Sequence, residues 1–167
     1  PDEIAEIETE RAEKKAKTPY SIFRLCATYD QFQKYGQSPP GVVGWYSPSS
    51  KELVVFLGGD KMMGLGATET VTYHEGWHQY ADHYFHHPDS PKHATLHRWF
   101  DEGHGDYFGS FRYDKSKKAV FPEPANGRLG NVQYAIRVGR LAALDDLMQM
   151  SRREMYSPNM AAIHYAQ

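Results

Sequence analysis

The chain has 167 residues, 40% of them hydrophobic, and a formal net charge of −2. That length suits one domain with a real core, and the charge excludes the basic surface that nucleic acid requires, so small molecules, peptides or proteins are the expected partners. Cys26 is the lone cysteine, which excludes an intrachain disulfide and a thiolate metal site; any metal must rest on histidine and carboxylate.

No run approaches the roughly 20 apolar residues of a membrane span, and the charged N-terminus is not a signal peptide. The chain begins without methionine and stops after Tyr165-Ala166-Gln167, so it reads as a single domain, 1–167, taken from a longer protein. Residues 1–17, rich in Glu, Lys, Arg and Ala, predict a solvated charged helix that ends before Pro19. Strands and a hairpin are expected over 20–57. Tyr20 to Tyr29 is a strand of aromatic and β-branched residues, with Cys26 as a small strand residue. Asp30 caps a short helix from Gln31 to Tyr35, and Val42–Tyr46 pairs with Glu52–Leu57 across a polar turn. The glycine-rich stretch Gly58 to Gly66 lacks the Gly-Lys-Ser/Thr ending of a phosphate-binding loop; it gives the chain room to turn.

A helix is expected over 68–86, with Thr68 as N-cap and Glu69 in the first turn, where a carboxylate suits the helix dipole. Val71, His74, His78, Ala81 and Phe85 form a stripe at spacings of three and four. Within it stands His74-Glu75-Gly76-Trp77-His78, the H-E-x-x-H pattern of a zinc-dependent hydrolase. On a helix the two histidines share a face, with Cβ atoms roughly 5 to 6 Å apart, close enough to grip one metal ion. Glu75 points about 100° away, which makes it a base beside the metal and not a ligand. Asp82, one turn beyond His78, is either a partner to the site or exposed.

Residues 86–95 form a polar, proline-broken loop. Its histidines His86, His87 and His93, with His83 and His97 nearby, fit a solvated surface better than a second metal site. A second helix spans 96–111, residues 114–130 form a loop, and C-terminal helices occupy 131–167, broken at Gly139, with Leu141, Leu144, Leu147 and Met148 as an apolar face. A catalytic zinc usually takes three protein ligands and leaves a position for water. The metzincin spacing is excluded, because Ala81 and Tyr84 stand where that motif needs glycine and histidine.

The second helix contains Trp99-Phe100-Asp101-Glu102-Gly103, which resembles the glutamate helix of the gluzincins, the thermolysin-like and aminopeptidase-like zinc peptidases. Gly44-Trp45-Tyr46, Tyr73-His74-Glu75-x-x-His78-Gln79 and Leu144-Asp145-Asp146-Leu147 further resemble a bacterial family of gluzincin-like domains of unknown function. The resemblance implies an α+β, zincin-like metallopeptidase fold, with a small mixed sheet packed on the H-E-x-x-H helix and the glutamate helix. It implies one Zn2+ held by His74, His78 and Glu102, and Glu75 as general base. Asp106, four residues after Glu102, matches the aspartate that accepts a hydrogen bond from a liganding histidine; physically, a metal-bound imidazole needs its other N–H satisfied. His104 departs from the family pattern and stands as a substrate contact, a rival ligand or a packed side chain, with packing or substrate contact favoured. Tyr165 is the candidate oxyanion donor, with His164 and Tyr156 behind it. Leu53 to Leu57 is the candidate edge strand for binding extended substrate. The implied activity is zinc-dependent hydrolysis of peptide bonds in a peptide or protein substrate, and the family leans toward extracytoplasmic or secreted proteins. A metal-retaining scaffold and a hydrolase of another bond are the rival readings; an intact Glu75 argues against the scaffold.

Overall fold

The computed structural model describes residues 21–39, 41–58, 68–85, 96–122, 126–157 and 164. The expected helix over 1–17, the stretch from 59 to 66, His86, His87, His93 and Tyr165 lie outside the described residues. The described chain is α+β. Its first half runs β1 (Ile22–Cys26), α1 (Tyr29–Gly36), β2 (Gly44–Ser47) and β3 (Glu52–Phe56). The three strands order as β1-β3-β2, with β1 parallel and β2 antiparallel to β3, so the sheet is mixed.

Leu53, Val54, Val55 and Phe56 are all buried, as residues of a strand covered on both faces must be. This corrects the expectation that Leu53–Leu57 is an edge. β3 has a neighbour on each side, and among the described residues the edges belong to β1 and β2. On one face Cys26, Phe32, Val54 and Phe56 form a core joined by Tyr29, Val42, Val43 and Trp45. The other face carries α2 (Thr68–Tyr84). A Cβ on Gly44 would come within 2.3 Å of Val71 Cγ1 and 3.1 Å of Val55 Cγ1, so the bare backbone of β2 is what lets α2 lie down on the sheet.

Two caps differ from expectation. Thr28, not Asp30, caps α1: its backbone is extended and its Oγ1 accepts from Gln31 N at 3.2 Å, while Gln31 Oε1 accepts from Ala27 N at 2.9 Å. The Thr68 hydroxyl does not turn to its own helix. It donates to Phe56 O at 3.0 Å and accepts from Gly58 N at 3.3 Å, clasping the end of β3 to the start of α2.

Beyond α2 come α3 (Arg98–Gly109), β4 (Phe111–Asp114), β5 (Ala119–Pro122), α4 (Asn126–Arg137), α5 (Leu144–Gln149) and α6 (Arg152–Met155). The antiparallel β4–β5 hairpin occupies the first part of a stretch expected to be loop. Asp114 Oδ1 organises its turn by accepting from Ser116 N at 2.8 Å, Ser116 Oγ at 2.6 Å and Lys117 N at 3.2 Å, the side-chain mimicry that favours aspartate in turns. α4 starts five residues before the expected Asn131. It ends where the sequence is broken at Gly139: that glycine has φ +64°, and Arg140 N donates back to Ala135 O at 2.8 Å, the left-handed helix stop that glycine permits.

A candidate metal centre between two helices

The helical period of α2 puts His74 and His78 on one face, with ring centroids 4.9 Å apart. α3 packs along that face and brings Glu102, only 4% exposed, up to both rings. Three atoms converge. His74 Nε2 lies 3.2 Å from His78 Nε2 and 3.3 Å from Glu102 Oε2, and His78 Nε2 lies 3.6 Å from the same oxygen. A tetrahedral ion with bonds of about 2.0–2.1 Å has ligand-to-ligand edges of about 3.3–3.4 Å. The triangle therefore has the size that one small ion demands, and its two imidazoles and one carboxylate could hold a metal ion.

The close approach depends on glycine. A Cβ on Gly105 would sit 2.8 Å from His74 Cε1 and 2.9 Å from both its ring nitrogens, and one on Gly109 would sit 3.0 Å from Thr70 O. α3 thus lays bare backbone against the imidazole it presents Glu102 to.

Each converging side chain is held from behind. Asp106 Oδ1 accepts from His74 Nδ1 at 3.0 Å, and Asp101 Oδ1 accepts from His78 Nδ1 at 2.9 Å and from Trp77 Nε1 at 3.1 Å. Arg98 lies 3.4 Å from the other oxygen of Asp101. Tyr156, just past α6, donates its hydroxyl to Glu102 Oε1, the oxygen that the two nitrogens do not share. With Nδ1 committed to a carboxylate, each ring turns Nε2 inward, the tautomer a metal needs.

Comparison with protein-family models, with curated proteins and with solved structures finds no match for this chain.

The electrostatics follow from burial and partners. Burial pulls the pKa of His74 down, but hydrogen bonds to Asp106 and Glu102 outweigh it and the net shift is upward. His78 behaves alike through Asp101 and Glu102. Burial raises Glu102, yet the two histidines and Tyr156 hold it well below the usual carboxylate range. Glu75 is raised, by burial first and against the histidine charges and a backbone hydrogen bond at Tyr46. It stands close enough to feel His74, His78 and Glu102, yet it is no member of the triangle.

His104 turns away from this centre. Its Nδ1 donates to Phe100 O at 2.8 Å, and its ring stacks on Trp77 at 4.7 Å and against Phe100 at 4.0 Å, so it packs in the aromatic layer between the helices. Asp82 is also elsewhere: Tyr46 OH and Lys51 Nζ both donate to its Oδ2 at 2.6 Å, tying the β2–β3 hairpin to α2. His83 meets Ser21 Oγ at 2.6 Å, exposed His97 precedes α3 without a side-chain capping bond, and buried His164 meets Met155 O at 3.3 Å.

Sequence reasoning missed Asp101 and the hydrogen bond between Tyr156 and Glu102. A signal for Asp101 was present: two histidines that are to share one ion each need an acceptor on the outer nitrogen, and α3 carries two aspartates. Tyr156 had no comparable signal, because 54 residues separate it from Glu102.

Proposed function

We propose that the protein is a zinc metallopeptidase of zincin-like fold and gluzincin type, with His74, His78 and Glu102 as zinc ligands and Glu75 as general base. The observation that carries the reading is the triangle of two Nε2 atoms and one carboxylate oxygen, 3.2, 3.3 and 3.6 Å on its sides, with Glu75 beside it and outside it. Two histidines and a glutamate are the donor set of a catalytic zinc that keeps a position open, whereas structural zinc sites are closed by four protein ligands. Zinc in such a site lowers the pKa of a water toward about 7 and polarises a carbonyl oxygen.

The residues of the chain divide the remaining work. Asp106 and Asp101 hold the imidazoles in the liganding tautomer, and Glu102 supplies the negative charge. Glu75 accepts the proton of the attacking water and returns it to the leaving amine. Among the described residues β2 is a sheet edge, and its Tyr46 backbone hydrogen-bonds Glu75. It therefore replaces β3 as the strand along which an extended peptide adds by main-chain hydrogen bonds.

The test is zinc analysis and cleavage of an unfolded generic protein by the full-length protein. About one zinc per chain is expected, with Glu75→Gln retaining it and losing cleavage. Full zinc occupancy in a His74→Ala/His78→Ala double variant, or wild-type cleavage by Glu75→Gln, overturns the reading.

A further inference from the structure

The liganding carboxylate has two oxygens, and the chain treats them differently. Glu102 Oε2 faces both histidine nitrogens, while Oε1 accepts the hydroxyl of Tyr156. The glutamate is 4% exposed and Met155, the last residue of α6, is 1% exposed, so half-buried Tyr156 follows directly on a packed residue. We infer that Tyr156 is a positioning residue that restricts Glu102 to one-oxygen coordination, and so keeps one position of the ion open to water.

The chemistry behind this is a count of lone pairs and positions. An ionised carboxylate can bind an ion through one oxygen or both. A phenol hydrogen bond takes one of the two lone pairs on Oε1 and fixes the plane of the group, with Oε1 turned to the phenol and Oε2 to the histidines. With two histidine nitrogens and one glutamate oxygen engaged, a tetrahedral ion has a fourth position left. Were Oε1 to swing in as well, that position would be taken by the protein itself. His74 and His78 have aspartates on their outer nitrogens; Tyr156 does the same for the third ligand, from a distant part of the chain.

This inference rests on zinc as the occupant, and its test separates the two. The readouts are zinc affinity by competition with a chromophoric chelator, and the visible spectrum of the cobalt-substituted protein, for wild type, Tyr156→Phe and the control Tyr107→Phe. Tyr107 lies on α3 with its side chain largely exposed. Tyr156→Phe keeps the ring and removes the hydroxyl. The expected result is a loss of roughly 10- to 100-fold in affinity, the usual effect of removing a group that orients a ligand. The cobalt spectrum should change as the second oxygen of Glu102 replaces water on the ion, and Tyr107→Phe should match wild type. Wild-type affinity and wild-type cobalt bands in Tyr156→Phe overturn the inference while leaving the zinc site standing. A wild-type protein that takes up no zinc removes both.

A second measurement needs no variant. The infrared difference between zinc-loaded and metal-free wild type should show the wide splitting of carboxylate stretches that belongs to one-oxygen coordination; the narrow splitting of two-oxygen coordination refutes the inference even if Tyr156→Phe does not fold.

Discussion

Adding one methyl group at Gly105 tests the geometry of the centre more sharply than deleting a ligand. The new Cβ would lie 2.8 Å from His74 Cε1 and 2.9 Å from Nδ1 and Nε2, whereas unstrained carbon contacts sit at about 3.5–4.0 Å. The ring must withdraw by about 0.7 Å or more, and it is not free to swing because Asp106 holds Nδ1. Metal sites tolerate distance errors of about 0.2 Å, so Gly105→Ala should cost at least ~10-fold in zinc affinity. For stability two effects oppose. Alanine in a helix interior gains about 0.5–1 kcal/mol over glycine, while overpacking costs about 1–3 kcal/mol; the net expectation is a destabilisation of up to ~2.5 kcal/mol. Gly103 is the internal control, because it is exposed and a Cβ there meets nothing within 4 Å. Gly103→Ala should gain the full ~0.5–1 kcal/mol with zinc binding untouched. Urea unfolding in chelator and competitive zinc titration read both quantities. Should Gly105→Ala bind zinc as wild type does and gain stability as Gly103→Ala does, the packing of α3 on His74 described above is wrong.

The other predictions rest on named hydrogen bonds. Asp101→Asn and Asp106→Asn should each weaken zinc binding roughly 10- to 100-fold; equal affinity in either variant by chelator competition removes that aspartate from the site. Asp82→Ala leaves Tyr46 OH and Lys51 without their shared acceptor and should destabilise by about 1–3 kcal/mol, with zinc stoichiometry unchanged by metal analysis. Glu52 is held below its ordinary value of 4.5 by hydrogen bonds from Tyr35 and Arg24. A depressed folded value contributes stability that is present above the unfolded value and is lost as pH falls through the folded one. The wild-type unfolding midpoint should therefore drop with pH below 4.5, and the drop should be shallower in Glu52→Gln.

The histidine pair of α2 was legible because a four-residue spacing needs only helical periodicity to put both rings on one face. Asp106 came from the resemblance, and helical spacing agrees with it, since it shares a helix face with Glu102. Glu102 itself came from a resemblance and not from any period, because the approach of α3 to α2 is decided by contacts between segments distant in sequence. Other misses had signals in local chemistry. Thr28-Tyr29-Asp30-Gln31 is a Thr-x-x-Gln capping pattern, and the uninterrupted run Leu53-Val54-Val55-Phe56 marks a strand buried on both faces, where an edge strand would alternate. The β4–β5 hairpin was hidden because its strands have only four residues each and its turn is lysine-rich; pairing across the turn, not composition, makes them strands.

Trp77 gives the protein a built-in optical probe. Its indole N–H shares Asp101 with His78, and its ring stacks on His104 at 4.7 Å and Phe108 at 5.4 Å. Any ion that draws His78 Nε2 toward itself changes the load on Asp101, and through it the polarity felt by the indole. The sequence has three tryptophans, and replacing Trp45 and Trp99 with phenylalanine leaves Trp77 as the sole emitter. Its emission should then follow occupancy of the centre, so that binding can be timed in this double variant without a dye, a substrate or a turnover.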